Sequence, residues 1–157
     1  MEKIKPNKVY VINKSNFVSQ ASVIARICST LKYAEKDPID PHIFLEYVSK
    51  GLAFGKCSIF VTFNEKQKLS SCLVFFIKNN PVKGKVLWIE WAWTDGKSLK
   101  LGMKVFKKLE DLARKLKVDR IAAAMTRGLK AVYKRYGLTV AYTVVEKKIE
   151  GSELNVE

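Results

Sequence analysis

The run Asp95-Gly-Lys-Ser-Leu-Lys-Leu-Gly102 places Lys97, Ser98, Lys100 and Gly102 just ahead of a helical pattern. The first turn of a helix has unpaired N–H groups and the positive end of the dipole. With lysines beside it, such a turn suits a phosphate or diphosphate. A plain solvated strand-to-helix turn has the same composition, and the pattern alone leaves both readings open. Upstream, Glu90 is the only acid in the otherwise apolar run 86–94. A carboxylate among apolar neighbours is partly desolvated, which makes it a stronger general base. A salt-bridged edge or surface acid would leave the same trace. Alternation puts Glu90 in step with Val86, Trp88, Ala92 and Thr94. It also puts Trp91 and Trp93 on one face and Trp88 on the other. A single base-stacking platform is therefore not expected, and the three indoles read as core. His42 is the only histidine and reads as a surface residue in a helix's first turn. A Ser–His–Asp or Cys–His set has no other base to draw on.

The chain that must position these groups has 157 residues, the length of one ordinary domain. It is 48% hydrophobic and 28% charged, a folded composition and not a disordered one. The formal net charge of +14 calls for an anionic partner: nucleic acid, a membrane surface or a phosphate-bearing small molecule. Cys28, Cys57 and Cys72 are odd in number and form no Cys-x-x-Cys pair. Reduced, buried thiols of a cytoplasmic protein fit better than a disulfide framework or a structural zinc. There is no 18-residue apolar run and no apolar stretch behind Met1 to read as a signal peptide.

Residues 8–13 are β-branched and aromatic and predict a first strand. Ser15 is placed to cap a helix running to about Lys36, with Phe17, Ala21, Ile24, Cys28 and Leu31 at helical spacing. Asp37-Pro38 ends it. Asp40-Pro41 starts another, with Asp as N-cap, Pro at the first helical position and Gly51 as the stop. Strands at 56–64, 69–78 and 85–94 follow as a meander with short polar turns. The third, apolar on both faces, reads as central and covered on both sides. Leu101, Val105, Leu109, Leu112 and Leu116 form the stripe of the next helix. A strand at 120–125, a helix at 128–136 and a strand at 139–149 complete the order β-α-α-β-β-β-α-β-α-β. Residues 150–157 read as a frayed tail. The expected architecture is one α/β (α+β) domain spanning 1–157, a mixed, mostly antiparallel sheet with helices on both faces.

On these residues the chain resembles the GNAT superfamily of N-acetyltransferases. The resemblance covers roughly 8–149 in element order and is closest over 86–138. The family runs a central strand into an Arg/Gln-x-x-Gly-x-Gly/Ala loop and a helix, and Lys97-Ser-Leu-Lys-Leu-Gly102 occupies that place. Tyr133-Lys-Arg-Tyr-Gly137-Leu138 matches the later Tyr-x-x-x-Gly-Phe pattern. Lys97 stands for the family's Arg or Gln, Lys100 for the first loop Gly, Thr126 for an Asn and Leu138 for the Phe.

The resemblance implies acetyl-CoA as co-substrate and an amine acceptor that attacks the acetyl carbonyl directly. Acetyl-CoA would lie where the strands 86–94 and 120–125 splay. Its pantetheine amides would pair near Glu90 and Ala92, and its diphosphate would rest on N–H groups of Ser98, Leu99, Lys100, Leu101, Gly102 and Met103, beside Lys97. Thr126 occupies the adjoining Asn position. Arg127, Lys130, Lys134 and Arg135 are candidates for the 3′-phosphate. Tyr133 would give a proton to the leaving thiolate, and Glu90 would be the base. No metal is implied.

From Lys97 to Arg135 the chain has thirteen basic and three acidic residues. Lys104, Lys107, Lys108, Lys115 and Lys117 would line the solvated side of the helix. A competing class is therefore a degenerate member that uses this helix to hold nucleic acid or an acidic protein partner. The short stretch after Gly137 leaves room for a strand supplied by a second chain, so monomer and homodimer both stay open.

Overall fold

The computed structural model describes residues 4–32, 40–82, 84–97, 99–123, 137 and 139. The chain divides into two compact units, Met1–Ala123 and Ala124–Glu157. The elements below all belong to the first. The expected helix at 128–136, the strand at 139–149 and the tail lie outside the described residues, apart from Gly137 and Thr139.

The element order is β1 (Tyr10–Ile12), α1 (Ala21–Lys32), α2 (Pro41–Ala53), β2 (Cys57–Phe63), β3 (Leu69–Asn80), β4 (Gly84–Thr94), α3 (Leu99–Lys115) and β5 (Arg120–Ala123). One sheet runs in the order β1-β2-β3-β4-β5. Every neighbouring pair is antiparallel except β4 and β5, which are parallel across the α3 crossover. This is the mixed, mostly antiparallel sheet that the pattern predicts.

Helices cover both faces. On one, Val23, Ile27, Val48 and Leu52 of α1 and α2 meet Ile59, Val61, Val74 and Phe76 of the sheet. On the other, Val105, Leu109 and Ala113 of α3 meet Phe60, Leu73, Phe75 and Leu87. The stripe read from α3 is thus the buried one, and its lysines at 100, 104, 107, 108 and 115 are exposed. Lys104 Nζ bridges to the carbonyl of Asn7 at 3.0 Å.

Two helix ends differ from expectation. Ser15 caps nothing: the chain makes hydrogen-bonded turns over 14–20, and α1 begins at Ala21. Asn13 and Asn16 supply the local bonding instead. The Asn13 side-chain carbonyl accepts from Ser15 N at 2.9 Å and from Ser15 Oγ at 2.6 Å. The Asn16 side chain accepts from Asn13 N and donates to the carbonyl of Val11. Such side-chain bonds compete with helix initiation and here delay it by a turn and a half. Residues 33–36 lie outside the described residues.

Asp40 does cap α2, accepting from His42 N at 2.8 Å and Ile43 N at 3.3 Å. Gly51 does not stop that helix. It is buried within it, where a Cβ would stand 2.6 Å from Phe76 Cε1 and 2.7 Å from Cys57 Cβ. Its role is close approach of α2 to the sheet. The stop is Gly55, at φ +70°, with its N–H on the carbonyl of Leu52 at 3.0 Å and Lys56 N on that of Gly51 at 2.9 Å.

Candidate functional site

β4 carries the site, and its pairing explains why. Against β3, Val74 faces Trp91 and Phe75 faces Ile89, so Glu90 is an extra residue in β4. A bulge of this kind re-aims side chains and reverses the alternation beyond it. Trp88 faces Phe76, on the α2 side of the sheet. Beyond the bulge Trp91 and Trp93 also pack on that side. All three indoles therefore share one face, which corrects the expectation that Trp88 stands opposite the other two. Trp91 meets Phe44 of α2 edge-on at 5.9 Å between ring centroids. Ala92 pairs with Leu73, on the α3 side, and is exposed. Glu90 thus keeps step with Val86 and Trp88 but not with Ala92 and Thr94.

On the β5 side the pairing runs only from Val86↔Arg120 to Ile89↔Ala123. β4 continues through Glu90–Thr94 with β3 as its partner. On its other edge the described residues of β5 end at Ala123, opposite Ile89. The expectation of a strand covered on both sides holds for Val86, Leu87 and Ile89, which are buried. It fails from Glu90 on, where every residue is half-buried or exposed.

That edge leads directly into the loop before α3. Asp95 N is fixed on the carbonyl of Ser70 at 3.0 Å. Ser70 is itself an extra residue in β3, opposite the Thr62/Phe63 step. Its buried hydroxyl lies 2.9 Å from Thr62 Oγ1, which also meets Ser71 Oγ at 2.6 Å. Gly96 takes φ +72° with open space around it. Its N–H bonds Thr94 Oγ1 at 3.1 Å, and Lys97 N bonds Asp95 Oδ1 at 3.0 Å. The Lys97 amide is therefore already taken. Leu101, in the first turn of α3, is buried. Lys97, Lys100 and Met103 are exposed, so the Lys100 side chain does not plug the bend. Gly102 keeps that surface of the turn low, with no side chain. Ser98, Thr126, Arg127, Lys130 and Tyr133 lie outside the described residues, as do Lys134 and Arg135.

Glu90 is not sequestered. Its side chain is 35% exposed, and Lys78 Nζ stands 3.5 Å from Oε2. The apolar strand promised a desolvated carboxylate, but this one lies at the rim of α2. There it faces Tyr47, which sequence reasoning had not named, and Cys57, read only as a buried thiol. The Tyr47 phenol is held above its usual pKa by burial first, then by the Glu90 charge and a hydrogen bond to that carboxylate. Burial, with Glu90 a second cause, pushes the Cys57 thiol up to about 12. The Tyr47 ring also leans on Phe76 at 5.1 Å. Only the hairpin register could have brought Lys78 to mind, since it lies across from Val86 and reaches back along β4. Nothing in the sequence joins position 47 to position 90. His42 is exposed, as expected.

No protein-family model matches the chain, and no curated protein matches it. Solved structures do. A predicted acetyltransferase of Clostridium acetobutylicum, whose structure contains acetyl-CoA, aligns over 90% of this chain and 95% of its own at TM-score 0.63 and 15% identity. A ribosomal-protein-alanine N-acetyltransferase of Brucella melitensis biovar Abortus aligns over 90% and 99% at TM-score 0.61 and 12% identity. An aminoglycoside acetyltransferase from an uncultured soil metagenome, in complex with sisomicin, aligns over 90% and 94% at TM-score 0.63 and 13% identity. The chain shares the fold of these acetyltransferases.

Proposed function

We propose that residues 1–157 form one acyl-CoA-dependent N-acyltransferase domain that moves an acetyl group from acetyl-CoA to a primary amine. The observation that carries this reading is the parallel β4–α3–β5 crossover, with the end of β4 leading into the α3 N-terminus, on an acetyltransferase fold. The donor set suits a diphosphate. The start of α3 at Leu99 and Lys100 presents the positive end of the helix dipole. The exposed ammoniums of Lys97 and Lys100 add charge. The pantetheine arm would follow the β4 edge past Ala92, bringing the thioester towards Glu90. Thr126, Arg127 and Lys130 would hold the remainder of the nucleotide.

In this reading Glu90 accepts a proton from the incoming ammonium, the amine attacks the thioester carbon directly, and Tyr133 protonates the departing thiolate. General acid–base help of this kind is worth roughly 10²–10⁴ in rate, so Glu90→Gln should lower kcat by that order. The acceptor is a small or macromolecular amine, and monomer and homodimer are both compatible with it. Cys28, Cys57 and Cys72 are all free thiols, which favours the reducing cytoplasm as the site of action.

The deciding experiment is a thermal shift. At acetyl-CoA about a hundredfold above Kd, binding should add ~2.7 kcal/mol, or roughly 5–10 °C in Tm for a chain of this size. Gly102→Glu should abolish the shift. No shift with acetyl-CoA, CoA or longer acyl-CoAs would refute the enzyme. Salt-sensitive nucleic-acid binding, lost on reversing Lys104, Lys107 and Lys108 to Glu, would then support the binding module.

A further inference from the structure

Lys78 has no part in the roles above, yet among the described residues its amine is the one held at the candidate base. Its backbone is fixed in β3 by pairing with Val86. Its side chain runs over two aromatic rings, with Nζ 6.0 Å from the Phe76 centroid and 4.9 Å from that of Trp88. It ends 3.5 Å from Glu90 Oε2. Alternation puts Glu90 on the face that Phe76, Trp88 and Lys78 share, two residues on from Trp88. Both partners remain reachable from solvent, with side chains 47% and 35% exposed. Lys78 is thus an amine already in place beside the carboxylate that would deprotonate an amine.

We propose that Lys78 is itself an acetyl acceptor, modified in cis by its own domain. This rests on the reading that acetyl-CoA binds with its thioester near Glu90. The Lys78 ammonium gives one proton to Glu90 Oε2. The freed Nζ lone pair attacks the thioester carbonyl carbon and the C–N bond forms. The C–S bond breaks, and CoA leaves as thiolate. The second proton shed by nitrogen goes to that thiolate, and Glu90 returns the first to solvent. Nothing is oxidised or reduced. Because the nucleophile is tethered, the step has the rate advantage of an intramolecular reaction. The product amide carries no charge, so the Lys78–Glu90 ion pair is lost.

Lys50 is the internal control. It too is paired with a carboxylate, Glu46 Oε1 at 2.6 Å, but on the exposed side of α2. The full chain is incubated with acetyl-CoA, digested and mapped by mass spectrometry over time. The expected result is acetylation of Lys78 on the order of 100-fold faster than of Lys50, the size of a general-base effect. The rate should stay constant on tenfold dilution of the protein. In Glu90→Gln, checked for an unchanged acetyl-CoA thermal shift, Lys78 should fall to the Lys50 rate. If acetyl-CoA shifts the Tm but Lys78 reacts no faster than Lys50, or only in proportion to protein concentration, the cis modification is wrong and the acyltransferase reading stands. If there is neither shift nor selective acetylation, both fall.

Discussion

Gly51→Ala sets two opposing effects against each other, and the geometry says which wins. In a helix interior this exchange is normally favourable by about 1 kcal/mol, because glycine loses more backbone freedom on folding. At position 51 the added methyl would lie 2.6 Å from Phe76 Cε1 and 2.7 Å from Cys57 Cβ. The Phe76 ring can yield by rotating, but it is buried and carries Tyr47 on its face. Cys57 Cβ is fixed to the β2 backbone and cannot yield without moving the strand. Overpacking of this kind costs typically 1–3 kcal/mol, and two simultaneous clashes put it at the upper end. Subtracting the propensity gain leaves a net loss of about 2 kcal/mol, or roughly 4–8 °C in Tm. Urea unfolding with an unchanged m-value is the measurement. A variant as stable as the wild type, or more stable by the unopposed ~1 kcal/mol, would refute the close seating of α2 on β2 and β3. The same shift lifts Tyr47, one helical turn away on the same side, from its place opposite Glu90. Acyl transfer should therefore fall by more than the lost stability explains.

Three further outcomes follow from single contacts. Asp40→Ala removes the acceptor for His42 N and Ile43 N and should cost about 1 kcal/mol, a drop of roughly 2–4 °C in Tm by calorimetry. Thr62→Val leaves the buried hydroxyls of Ser70 and Ser71 without their shared partner and should cost about 1–3 kcal/mol in urea unfolding. The Cys57 thiol, raised from 9.0 to about 12, keeps its proton in the folded chain where the unfolded chain loses it. Its stabilising effect is complete below pH 9 and is lost as pH climbs towards 12. The stability of wild type relative to Cys57→Ala should thus decline by up to ~1.4 kcal/mol per pH unit across that window. A difference that does not vary with pH would show the thiol titrating normally.

The parts of the fold written in local pattern were legible. Alternation with short polar turns marks the β2–β3–β4 meander. The Asp40-Pro41 pair marks the start of α2, and the apolar stripe from Leu101 to Ala113 marks the buried side of α3. What escaped depends on partners distant in sequence. Ser15 looks like a cap because serine often is one, but the competing Asn13 and Asn16 side chains decide the outcome. Gly51 looks like a stop because only the approach of Phe76 and Cys57 reveals its other use. The site was half legible. The loop at 95–103 announces itself by composition, and Glu90 by its isolation among apolar residues. Its exposure and its neighbours Tyr47, Cys57 and Lys78 depend on how β3, β4 and α2 pack, and the bulge that turns Trp91 and Trp93 leaves no signature in a strand of apolar residues. Period-two counting fails at the first uncounted residue.

The extra residue at position 90 also admits two kinds of change. Exchanging its side chain alters chemistry at one spot and leaves the strand where it was. Deleting the residue would join Ile89 directly to Trp91, opposite the adjacent Phe75 and Val74, and the ladder would close into plain alternation with Trp91 and Trp93 still on the α2 side. Substitution scans at this codon should return folded protein with graded activity, and a one-codon deletion should return folded protein that has lost the carboxylate.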